Sequence, residues 1–132
     1  MPEVPSLTDR VHHALRAIDG VFEGASIFSD DDADIAFFVN GRQVADFVDP
    51  ATFEVRLTRR VISAERARLQ AEPRVTLRGG SDWVSIRLTS EADVPLVADL
   101  AELAAAAHRP PPGVPPKLPP SGAELARRRR FH

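Results

Sequence analysis

The chain has 132 residues, 43% apolar and 27% charged, with a formal charge of −2; that suffices for one core of ordinary size and excludes wholesale disorder and collagen-like repeats. No Cys is present, which excludes a disulfide framework, a thiolate nucleophile and a cysteine-bearing zinc site. The charge is uneven, because residues 109–132 hold Arg109, Lys117 and Arg127 to Arg130 against Glu124, a charge of +5 that leaves −7 on the rest.

An acidic body argues against a surface that coats duplex DNA, since phosphate binding draws on a broad positive face. Apolar runs stop far short of about 18 residues, and the opening MPEVPSLTDR carries neither a basic nor an apolar leader segment. The expectation is a cytoplasmic protein with no membrane partner.

Ser6 and Asp9 suggest a capping box, and Leu7, Val11, Ala14, Leu15 and Ile18 recur on one helical face, predicting a helix over 7–18 that ends at Asp19-Gly20. Val21 to Phe28 is rich in strand formers though broken by Gly24, and an acidic SDDDAD loop separates it from a strand at Asp34 to Val39. Asn40-Gly41 tolerates the positive φ of a two-residue type I′ turn, which pairs Val39 with Arg42, Phe37 with Val44 and Ile35 with Asp46.

A strand at Phe53 to Leu57 leads to a helix capped by Thr58 that must end before Pro73. Arg74 to Arg78 and Asp82 to Leu88 form a second hairpin across Gly79-Gly80, with Val84, Ile86 and Leu88 on the core side and Trp83, Ser85 and Arg87 on the other. A last long helix runs from about Glu91 to Ala107 behind Ser90 and Asp93, with Pro95 in its first turns. This order predicts an α+β domain over 6–108: an antiparallel sheet of hairpins covered on one face by the N- and C-terminal helices, in two layers.

Beyond His108, RPPPGVPPKLPP packs seven prolines into residues 109–120, predicting polyproline II, and Ser121 precedes one helical turn's worth of apolar residues, Ala123, Leu125 and Ala126. Pro112, Pro115, Pro116, Lys117 and Pro119 suit a groove that reads proline-rich segments. Packing of this strip on its own domain, packing on a neighbouring subunit, and disorder stay open, as does a homo-oligomer.

Gly80-Ser81-Asp82-Trp83-Val84-Ser85-Ile86-Arg87-Leu88, followed by Ser90-Glu91-Ala92-Asp93-Val94, resembles the small bacterial luciferase domain family, named for its likeness to a domain of fungal luciferase and largely of unknown function. The likeness extends to LTDRVHHALRAIDGV, ADIAFFVNGRQVADF, LTRRV and AEPRV, about residues 7–106 in the same order. The family pattern carries a His near the end of the hairpin strand and another just after Glu-Pro. This chain has Val44-Ala45-Asp46-Phe47-Val48 and Pro73-Arg74-Val75-Thr76 there, which implies that any imidazole chemistry of the relatives is lost or changed.

Site chemistry is sparse. The acids Asp30, Asp31, Asp32 and Asp34 open like a calcium-binding loop, but Ile35 and Gly41 stand where glycine and a bidentate glutamate are needed; neither a metal nor a cofactor is expected. His12 and His13 have no catalytic partner nearby in sequence, and neither a nucleophile elbow nor a phosphate loop is present. The constellation that remains is Trp83 with Ser81, Ser85, Arg74, Arg78 and Arg87, a face suited to stacking and anion contact. It predicts a non-catalytic binding or interaction module; the alternatives are an enzyme or binder acting on a small anionic or partly apolar molecule, and nucleic-acid binding through these arginines and the tail.

Overall fold

In a computed structural model, which describes residues 4–131, six strands form one antiparallel sheet in the order β1-β2-β3-β4-β6-β5. The elements are α1 (Leu7–Arg16), β1 (Val21–Ala25), β2 (Ile35–Val39), β3 (Arg42–Asp49), β4 (Thr52–Arg56), α2 (Arg59–Ala64), α3 (Arg66–Ala71), β5 (Val75–Leu77), β6 (Trp83–Arg87), α4 (Val94–His108) and α5 (Gly122–Phe131). The fold is the α+β architecture expected from the sequence. Among the described residues no helix is long and apolar enough to cross a membrane.

Local chemistry explains most boundaries. The Ser6 hydroxyl accepts from the Asp9 amide at 3.0 Å while the Asp9 carboxylate takes the Ser6 amide, so the capping box starts α1. Ser90 and Asp93 repeat the device in a single 3-10 turn, and Pro95 follows in the first turn of α4, where its missing donor costs nothing. Thr58 caps α2 through the Val61 amide at 3.3 Å, in a backbone conformation (φ 82°, ψ 151°) that side chains with a Cβ rarely adopt. The single helix expected before Pro73 is two short ones that meet at Glu65, whose φ of −103° breaks the helical course.

The core lies on the helix side of the sheet. Val11 and Leu15 of α1 and Val97, Leu100, Ala101, Ala104 and Ala105 of α4 join Phe37, Phe53, Val55, Val84, Ile86 and Leu88 in one cluster. Each fully buried large side chain there contributes about 1.5–3 kcal/mol. Phe53 takes Phe37 and Phe47 edge-on, with ring centres 6.0 and 4.8 Å away.

Two findings depart from regular alternation. Asn40 (φ 51°) and Gly41 (φ 77°) make the expected turn and Val39 pairs with Arg42, but Phe37 pairs with Ala45, not Val44, across a register shift. The expected pairing of Ile35 with Asp46 slips with it. Val44 is the extra residue of a β-bulge, and both Val44 and Ala45 are buried in the core, since a bulge keeps two successive side chains on roughly the same side.

The second departure is the tail. It has ten residues of helix, α5, where one turn was expected; His132 lies outside the described residues. Its prolines cross the sheet face opposite α1 and α4. A Cβ built on Gly24 would stand 2.7 Å from Pro119 Cβ, the Lys117 amide donates to Asn40 Oδ1 at 2.9 Å, and Arg128 reaches the Gly41 carbonyl at 2.6 Å. Ala36 and Phe38 are buried outside the main core, with the Phe38 ring also beside Gly24.

Candidate functional site

The tail lies over β1 and the turn between β2 and β3 and leaves the outer face of β3, β4 and β6 for a different set of residues. Asp46 stands opposite Glu54, Glu54 opposite Ser85, and Ser85 opposite Thr76, one polar row across four strands. Asp46 reaches that face because of the Val44 bulge: without the extra residue it would share a face with Val44 and turn toward the core. Gln43 and Asp46, three apart, point the same way, and the Gln43 amide nitrogen donates to Asp46 Oδ2 at 3.4 Å and to Ser26 Oγ at 3.1 Å. Gln43 is buried and also accepts from the Ile27 amide at 2.8 Å, so it ties the row to the loop before β2.

That loop forms the facing wall. Its shape comes from short side chains turned on their own backbone: Ser29 Oγ accepts from the Asp31 amide at 3.1 Å, Asp31 Oδ1 from the Ala33 amide at 2.9 Å, and the Ser29 hydroxyl donates to Asp34. Arg129 of α5 braces it from outside through the Ser26 carbonyl at 3.1 Å and Asp32 at 2.7 Å. The loop carries Phe28 to Trp83, edge to face, with ring centres 5.8 Å apart and planes at 66°.

A cleft of about 880 Å³ runs from the outer face between loop and sheet, lined there by Phe28, Ile35, Asp46, Glu54, Arg78 and Trp83, round to Thr8, His12 and Phe47 on the helix side. Carboxylates dominate its charge. Asp34, Asp46, Asp49 and Glu54 all line it, against Arg78 and His12. Arg78 is already engaged, donating to Glu54 and, at 3.0 Å, to Ser85 Oγ. Burial pushes the Asp46 carboxyl up to about 7, helped by the Glu54 charge opposite. His12 stacks on Phe47 and holds Glu23 Oε2 at 2.5 Å through Nδ1. Burial alone would raise Glu23, but hydrogen bonds from Arg16 and His12 outweigh it and hold the group below its ordinary range.

The residues singled out in the sequence divide accordingly. Trp83, Arg78 and Ser81 line the cleft, and Ser81 Oγ accepts from the Trp83 amide at 3.0 Å. Ser85 lies behind Arg78, while Arg87 is exposed farther along β6. Arg74 turns to the sheet edge, where Glu72 takes it at 2.7 Å and Asp93 at 2.9 Å. In the tail, Pro112, Pro115, Pro116 and Lys117 are exposed and Pro119 is partly buried.

Sequence reasoning missed Phe28, Asp46 and Glu54. Phe28 and Glu54 show no pattern that marks them, and Asp46 sat at a position that unbroken alternation turns inward. No protein-family model, curated protein or solved structure matches the chain.

Proposed function

We propose that the protein is a binding module for a small, partly apolar molecule seated in the cleft beside Trp83. The observation that carries this reading is the convergence, on a part of the outer sheet face away from the tail, of an aromatic pair with a polar row. The cleft, about 880 Å³ over its outer-face and helix-side parts together, has room for a small molecule. Binding without catalysis is favoured because, among the described residues, no hydrogen bond joins Ser81 or Ser85 to His12: Ser81 accepts from the Trp83 amide, Ser85 from Arg78, and His12 meets Glu23. Kinship with the luciferase domain family is compatible with this role and supplies no substrate. Nucleic-acid binding is less well supported, since Arg74 and Arg78 are paired with carboxylates.

Trp83 is the only Trp and the chain has no Tyr, so intrinsic fluorescence reports the cleft directly. A panel of small aromatic fragments, titrated against that emission and against backbone amide NMR shifts, should yield binders that perturb Trp83, Phe28 and Glu54 together. A panel whose members perturb only residues elsewhere, or none, would refute the reading.

A further inference from the structure

Resting on that reading of the cleft, we infer that its ligand presents a flat cation, an amidinium, guanidinium or protonated aromatic amine, to the Asp46 and Glu54 carboxyls while its apolar part lies on Trp83 and Phe28. This reverses the charge suggested by the arginines in the sequence. Of the three arginines assigned to the face, Arg74 is held by Glu72 and Asp93 at the sheet edge and Arg78 by Glu54, and Arg87 is not part of the cleft lining. An anion entering the cleft would meet Asp34, Asp46, Asp49 and Glu54 with one arginine already paired.

Two features of different kinds select a flat cation. The first is aromatic: an indole and a phenyl ring set at 66° form an apolar corner, and an aromatic face attracts a cation through its quadrupole. The second is the preset geometry of Asp46. The bulge turns it outward, and buried Gln43, itself fixed by Ser26 and the Ile27 amide, holds one of its oxygens. The other oxygen, Oδ1, is left for a donor, and Glu54 lies directly opposite on the next strand. Once ionised, above about pH 7, the Asp46 carboxylate matches the paired N–H groups of an amidinium or guanidinium in charge-assisted hydrogen bonds, and Glu54, which Arg78 engages through Oε2, offers its other oxygen from across the strand pair.

The test uses three probes of nearly equal shape, benzamidine, benzamide and benzoate, titrated into the 132-residue chain at pH 8, where Asp46 is ionised, with Trp83 emission and amide shifts as readouts. Benzamidine should bind in about the millimolar range expected of so small a ligand. Benzamide and benzoate should bind about tenfold more weakly or worse, as loss of a charged hydrogen bond requires. Asp46→Asn should remove most of the preference for benzamidine while retaining weak binding of benzamide on the aromatic pair, and an unchanged amide spectrum elsewhere establishes that the variant is folded. High salt should weaken benzamidine and leave benzamide alone.

Equal affinity for benzamide, tighter binding of benzoate, or a preference that survives Asp46→Asn would overturn the inference. In any of these cases, shifts centred on Trp83 would leave the cleft itself standing as a binding site. Failure of all three probes overturns the cation assignment, and failure of the wider fragment panel overturns the site.

Discussion

Gly24 is where the tail and the sheet meet most closely, and replacing it with alanine puts a number on that docking. A Cβ at this position would stand 2.7 Å from Pro119 Cβ and 3.2 and 3.3 Å from two carbons of the Phe38 ring. The first distance is shorter than real Cβ contacts allow, and Phe38 is fully buried, so its ring has little room to retreat. Overpacking of this kind costs about 1–3 kcal/mol, set against the roughly 0.5–1 kcal/mol that alanine gains over glycine in a strand. The expected net loss is about 1–2 kcal/mol, or roughly 4–7 °C in Tm.

A double-mutant cycle with Pro119→Gly separates the docking from any local effect on β1. Removing the proline ring relieves the shortest approach but not the one to Phe38, so Gly24→Ala should cost about 1 kcal/mol less in that background. Urea denaturation of the four proteins measures the coupling. Additivity within about 0.5 kcal/mol would mean that the tail does not rest on Gly24, and the placement of residues 117–131 over the sheet would be wrong.

Thr58 sits at φ 82° and ψ 151°, so Thr58→Gly should stabilise by about 1 kcal/mol, the relief of strain exceeding the few tenths lost with the cap; a lower urea midpoint would show that the hydroxyl outweighs the strain. Asp46 carries a proton in the folded protein up to about pH 7, well above its ordinary range. Stability from this group is therefore full at low pH and is lost as pH rises toward and through about 7. Asp46→Asn should accordingly melt higher than the parent at pH 8 and close to it at pH 4, and parallel curves over that span would contradict the burial argument.

Asp93 behaves oppositely, because amide hydrogen bonds from Thr89, the Arg74 guanidinium and the Ser90 amide hold its carboxyl far below the usual range. Its contribution is present above about pH 4 and fades as pH falls further. Asp93→Asn should flatten the acid limb of the stability curve, read by thermal melts from pH 2 to 6.

Much of the fold is legible in local sequence. The alternation in Trp83 to Leu88 already says that Val84, Ile86 and Leu88 face an apolar layer, and all three are buried. Asn40-Gly41 names its own turn, and Ser6 with Asp9 and Ser90 with Asp93 name their helix starts. These features depend on side-chain chemistry within a few residues, which is why a reading along the chain finds them.

The candidate site was legible only in Trp83, Arg78 and Ser81. Whether Asp46 points into the core or the cleft depends on one extra residue, Val44, and that bulge is stabilised by the helices that bury Val44 and Ala45 together. The pairing of Arg78 with Glu54, of Phe28 with Trp83 and of Arg129 with Ser26 joins residues 24, 55 and 103 positions apart in the chain. No local pattern selects among such partners, since every arginine in the sequence is equally able to meet a carboxylate or a carbonyl. The proline strip announces its own extended conformation, but where it lies was decided by a missing side chain at Gly24, a notch that exists only once β1 and β2 are paired.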